Sequence, residues 1–72
     1  MKLFLLSREA NDYDEYDSFV VRAESETQAR QIAAASHGFE DESEWLEGGK
    51  SRCDELTPEG APGVVIGSYN AG

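Results

Sequence analysis

From Ser18 to Ala23 the chain reads SFVVRA, and the next residues, Glu24-Ser25-Glu26-Thr27-Gln28, read as a helix start. This junction constrains the fold more than any other feature of the sequence. As a strand, the first segment puts Phe19, Val21 and Ala23 on one face and Val20 and Arg22 on the other. Ser25 with Gln28 three residues on matches a capping box, in which each side chain satisfies a free backbone N–H of the other. Glu24 and Glu26 sit where the helix dipole favours negative charge. Ala29, Ile32, Ala33 and Ser36 follow at helical spacing as a narrow stripe of small residues, and Gly38 supplies a left-handed cap. The spacing predicts a helix over 26–36, lying close on the sheet because alanine permits close approach.

Upstream, Leu3-Phe4-Leu5-Leu6 is a short continuous apolar run within Lys2–Ser7. With apolar residues on both faces it predicts a strand that is central or packed on both sides. The link from Arg8 to Tyr16 is too short for a helical crossover, so the two strands pair antiparallel. Downstream, Phe39–Gly49 reads FEDESEWLEGG. Asp41 and Glu44 cap one short helical turn that turns Trp45 and Leu46 inward, with Phe39 and Trp45 anchoring the segment to the core. Ser51–Thr57 is a weak strand, charged on both faces and hence an edge. After the turn residues Pro58, Gly60, Pro62 and Gly63, Val64–Tyr69 reads as a last strand. The fold expected is α+β: a small, mostly antiparallel sheet of about four strands in ββαββ order, with one helix on one face.

Seventy-two residues make one domain with a thin stability margin. The single cysteine, Cys53, precludes an internal disulfide, and no Cys/His set stands at zinc-ligand spacing. This fits a reducing cytoplasm. No apolar run approaches the roughly 18 residues that span a bilayer. The opening MKLFLLSRE lacks a small-residue cleavage site and reads as a strand, not a signal peptide. Six Lys and Arg against 15 Asp and Glu give a formal net charge of −9. That balance repels nucleic acid and anionic membranes, attracts basic protein surfaces, and favours a monomer or weak homodimer.

Acidic residues concentrate in two stretches. The first holds Asp12, Tyr13, Asp14, Glu15, Tyr16 and Asp17; the second holds Glu40, Asp41, Glu42, Glu44, Trp45 and Glu47. The D-x-D at Asp12 resembles a calcium loop, but the EF-hand pattern fails: a ligand, a glycine and a glutamate are required where Tyr16, Asp17 and Ala23 stand. Metal and cofactor binding are therefore not expected. Carboxylates beside tyrosines instead suit an Arg-rich partner. Taken together, the two stretches imitate the charge row of a nucleic acid if they share one face, since duplex DNA carries a charge about every 1.7 Å. Solvated turns are the plainer reading of both, and Trp45 reads as a core anchor ahead of a binding hot spot. No catalytic residue is assigned. His37 stands alone at a helix end, Cys53 lacks an activating partner, and the glycines form no phosphate loop.

The segment from Met1 to Arg30 carries a YDxYD element at Tyr13–Asp17 and a helix start at Ala23-Glu24-Ser25-Glu26 with Ala29-Arg30; Ser68-Tyr69-Asn70-Ala71-Gly72 follows at the far end. With these elements the chain resembles a family of short, acidic, mostly uncharacterised phage and prophage proteins. It departs from them between Phe39 and Leu56, where acids are denser. The resemblance implies a phage origin and a bacterial cytoplasmic setting. By analogy it implies an inhibitor of host machinery, of anti-CRISPR type, whose partner is the basic surface of a CRISPR effector or nuclease. The alternative expectation is a structural or accessory module. It would self-associate through a sheet edge or the apolar faces of Leu3–Leu6 and Val64–Tyr69, with its charge serving solubility alone.

Overall fold

Strand β1 (Lys2–Ser7) forms the centre of a three-stranded sheet, with β2 (Ser18–Ala23) on one side and β3 (Arg52–Leu56) on the other. The computed structural model describes residues 1–9, 16–38 and 40–67. Both pairings are antiparallel: Phe4 lies opposite Val21 and Glu55, and Leu6 opposite Phe19 and Cys53. The apolar run at Leu3–Leu6 therefore takes the central position its composition requires, and the charged strand takes an edge, with β2 on the other side.

Helix α1 (Glu26–Ala35) begins at Ser25, whose hydroxyl accepts the Gln28 N–H at 3.2 Å. The Gln28 side chain reaches back one residue further than a strict capping box, accepting the Glu24 N–H at 2.7 Å. The helix closes on Ser36, whose N–H donates to the Ala33 carbonyl at 3.0 Å. The expected cap at Gly38 is thus replaced by a tight turn, and the Gly38 N–H donates to the Glu40 carboxylate at 2.9 Å. The buried stripe is Ala29, Arg30, Ala33 and Ala34 rather than Ala29, Ile32, Ala33 and Ser36; Ile32 and Ser36 are exposed. The helix is rotated so that Arg30 points inward.

The core lies between α1 and one face of the sheet, built from Phe4, Leu6, Val21, Ala23, Ala29, Ala33, Ala34 and Trp45. Half of these are alanines, so Trp45 and Leu6, the large fully buried side chains, contribute a disproportionate share of the apolar area. Trp45 stands on a single turn, α2 (Ser43–Leu46), packed against α1. One turn can aim only one of two adjacent side chains inward, and Leu46 is left 45% exposed rather than buried. The expected anchor Phe39 lies outside the described residues.

The expected fourth strand is not found among the described residues. Residues 64–67 pair with no strand, and Val64, Val65 and Ile66 are exposed, Val64 at 88%. Ser68 and Tyr69 lie outside the described residues. Among the described residues the element order is ββααβ, in place of the expected ββαββ. β-branched side chains form a strand only where an edge receives them. Beyond the turn at Gly60, which has φ 138°, residues 65–67 instead stand over the open face of the sheet, across a groove from Leu5, Ser7 and Ser18.

Candidate functional site

The acidic stretches meet through the Glu40 side chain. Its Oε1 accepts the backbone N–H of Tyr16 at 3.3 Å and that of Gly38 at 2.9 Å, and its Oε2 accepts the Trp45 indole N–H at 2.9 Å. The residue is only 3% exposed. Burial is the largest single influence on this carboxyl and pushes its pKa up. The indole and backbone N–H donors together outweigh burial, so the pKa falls below the ordinary 4.5. Glu40 is therefore a buried anion that serves as a structural acceptor, and it presents no charge to a partner.

Around it, the indole of Trp45 packs edge-on to Phe19 at 4.9 Å between centroids, and Phe19 meets Tyr16 at 4.5 Å. The Arg8 guanidinium stands 5.8 Å from the centroid of the indole ring. Arg8 also donates to the Tyr16 carbonyl at 2.9 Å and pairs with Glu44 at 3.4 Å, while its own N–H donates to the Asp17 carbonyl at 2.9 Å. The exit of the first acidic stretch is thus fastened to the second by Arg8 and Glu40.

Arg30 fastens the other end. Nε donates to Glu26 at 2.9 Å; Nη1 donates to the Trp45 carbonyl at 3.1 Å and the Ser51 hydroxyl at 2.9 Å; Nη2 donates to the Ser51 carbonyl at 3.1 Å. One guanidinium, buried on the alanine face of α1, holds α2 and the entry to β3. Only a planar fork with five donors fits such a set of acceptors.

Of the residues named from sequence, Asp12, Tyr13, Asp14 and Glu15 lie outside the described residues. Tyr16 and Asp17 are exposed. Asp41 and Glu42 face solvent, and Asp41 accepts the Ser43 N–H at 3.0 Å. That bond holds the Asp41 carboxyl below its ordinary pKa. Glu47 is exposed and pairs with Lys50 at 3.3 Å; Glu44 is half-buried against Arg8. Trp45, at 0% exposure, is a core anchor with no surface to offer, so it and Glu40 leave the candidate surface. Of the residues named from sequence, those that face outward in the described part are Tyr16, Asp17, Asp41, Glu42 and Glu47.

No family model, no curated protein and no solved structure matches the chain. The geometry of the side chains is therefore what a functional reading rests on.

Among the described residues no group of three His, Cys, Asp or Glu side chains is placed to hold a metal ion. The Cys53 thiol is pushed up from its ordinary pKa by burial, and further by Glu26 and Asp54. It packs against the core and is a poor nucleophile. His37 Nδ1 contacts the Gly38 carbonyl at 2.7 Å on the exposed surface, which requires the proton on Nδ1. An open groove of about 340 Å³ is lined by Ser7, Arg8, Glu9, Lys50 and Arg52 with Gly48 and Gly49. Its cations are already matched to carboxylates: Arg8 to Glu44, Lys50 to Glu47 and Arg52 to Asp54. Sequence reasoning missed Arg8, Arg30 and the burial of Glu40. The one local signal was Glu26 four residues before Arg30, beside the alanine stripe.

Proposed function

We propose that the chain is a non-enzymatic binding protein, phage-encoded and of the anti-CRISPR inhibitor type. It presents an acidic surface to the basic, nucleic-acid-binding site of a host CRISPR effector or nuclease. In the described residues that surface comprises Tyr16, Asp17, Asp41, Glu42 and Glu47, and the reading adds Asp12, Tyr13, Asp14 and Glu15 from the sequence of the first stretch. The observation that carries the reading is the 3.3 Å bond from the Tyr16 N–H to the Glu40 carboxylate, which joins the two acidic stretches on one scaffold. A charge row must be held rigidly to imitate phosphates, and a buried carboxylate with three donors is a rigid fastening. The net charge of −9 supplies long-range attraction to a cationic cleft.

Titration of the full chain against a purified CRISPR effector nuclease, with inhibition of DNA cleavage as the readout, tests this. Affinity should fall steeply as salt rises, because rim charges are screened. Reversal of Asp14, Glu15, Glu42 and Glu47 to lysine should abolish inhibition while the far-ultraviolet circular dichroism stays unchanged. Binding indifferent to salt, or a fully active quadruple variant, sinks the reading.

A second reading, an accessory module that self-associates and uses its charge for solubility, is favoured by the exposed apolar run Val64-Val65-Ile66.

A further inference from the structure

Tyr16 is the outer end of a row of three aromatic rings. Trp45 is fully buried, Phe19 meets it edge-on at 4.9 Å between centroids, and Tyr16 meets Phe19 at 4.5 Å with the planes inclined by 34°. Phe19 thus takes one face of the Tyr16 ring. Tyr16 is nonetheless 48% exposed, and the other side of its ring is open to solvent.

The backbone behind this ring is fastened at three points. The Tyr16 N–H donates to the Glu40 carboxylate at 3.3 Å, and the Tyr16 carbonyl accepts from the Arg8 guanidinium at 2.9 Å. The Asp17 carbonyl accepts the Arg8 N–H at 2.9 Å. A merely solvated turn needs no such fastening. An exposed ring held in one place loses little freedom when a partner settles on it.

Charge says what kind of partner that is. Tyr16 stands where the two acidic stretches join, next to Asp17 in sequence and bonded to Glu40 in space. Among the described residues the Asp17 carboxylate accepts only the Ser18 hydroxyl, at 3.1 Å. The face of an aromatic ring and the carboxylates around it both attract a cation. At the inner end of the same row the molecule already makes such a contact within itself. The Arg8 guanidinium stands 5.8 Å from the Trp45 ring centroid while pairing with Glu44 at 3.4 Å. Tyr16 offers a ring and carboxylates of the same kind to solvent. Of the two basic side chains, arginine suits it better: a guanidinium is planar, weakly hydrated and stacks flat, whereas an ammonium is compact and strongly hydrated.

We propose that the Tyr16 ring seats one arginine side chain of a basic protein partner, and so makes the acidic surface select arginine over lysine. The proposal rests on the reading that this surface binds a basic protein, and it names the side chain the partner must supply.

Fluorescence anisotropy of dye-labelled oligo-arginine and oligo-lysine peptides of equal length, titrated with the full chain, tests it. The wild type should bind the arginine peptide more tightly. Tyr16→Leu should weaken the arginine peptide by about two- to fivefold and leave the lysine peptide nearly unchanged, with the circular dichroism intact. Tyr16→Phe keeps the ring and its contact with Phe19, and it should bind both peptides as the wild type does. Asp17→Asn should weaken both peptides alike, because it removes charge without touching the ring. Equal affinity of the wild type for the two peptides overturns the proposal, as does an equal loss of both in Tyr16→Leu or an arginine peptide that does not bind. Failure of the nuclease-inhibitor reading looks different: cleavage proceeds uninhibited while the preference for arginine, and its dependence on Tyr16, persist.

Discussion

The Glu40 carboxylate accepts the indole N–H of Trp45 at 2.9 Å, and both side chains are out of solvent. A fully buried indole N–H needs an acceptor, and a buried carboxylate needs donors; each here satisfies the other. Replacing Glu40 with alanine leaves that indole N–H and the N–H groups of Tyr16 and Gly38 without their partner. The expected loss is about 2–4 kcal/mol, against the roughly 4–11 kcal/mol that a domain of this length holds. Urea unfolding followed by Trp45 fluorescence measures it, and a loss under half a unit would contradict the assignment.

The same carboxyl sets a pH dependence. Its folded pKa lies below 4.5, so Glu40 contributes stability fully above that value and loses the contribution as pH falls through the depressed folded pKa. The urea midpoint of the wild type should drop in that acid range. Glu40→Gln, which keeps one acceptor and carries no titrating proton, should show a flatter profile there than the wild type.

Arg30 should tolerate no replacement. Arg30→Met keeps the aliphatic stem but leaves the Trp45 and Ser51 carbonyls without a donor, at a cost of about 2–4 kcal/mol. Arg30→Lys recovers less than half of it, because an ammonium cannot fork between the two segments. Amide hydrogen exchange should quicken first in residues 45–51. Uniform quickening across the sheet would show that the arginine acts on the whole domain instead.

Cys53 should react sluggishly with a thiol reagent at neutral pH, since burial and nearby carboxylates raise its pKa. In denaturant the rate should climb to that of a free cysteine. Rapid labelling of the folded chain would point to an activating environment that the geometry lacks.

Two aliphatic truncations should separate sharply. Leu6→Ala removes a fully buried side chain and should cost about 2–5 kcal/mol. Val64→Ser, at a position that is 88% exposed, should stay within about 0.5 kcal/mol in dilute solution. A large loss at Val64 would mean that the segment pairs after all.

The contrast between those two positions shows what was legible in the sequence. β1, β2 and α1 could be read because their signals are local: a short apolar run, an alternation of period two, and Ser25 with Gln28. The edge position of β3 followed from charge on both of its faces. Val64–Ile66 misled because strand propensity names a segment that suits a sheet without showing that an edge receives it. Glu40 and Arg30 misled for a related reason. Charged side chains are normally solvated, and only closure of α2 against α1 decides which of nine clustered acids or six cations is enclosed with partners. Trp45 and Leu46, adjacent in sequence, differ wholly in burial because a single helical turn has one inward direction. The candidate surface was legible as two acidic stretches. Their junction through Tyr16 and Glu40 was not, because it depends on a contact across 24 residues.

The central place of β1 also governs how the chain can fold. Its partner β2 begins about 11 residues further along the chain, but Ser7 meets Arg52 only after about 45 residues of chain have been brought round. The β1–β2 hairpin and α1 can assemble early from local contacts, with one edge of β1 bare. That bare edge is a row of unpaired amides able to capture any extended peptide, including another copy's β3. Exchange of β3 between molecules is therefore the characteristic misassembly of this topology, and refolding at high concentration is the condition that would trap it.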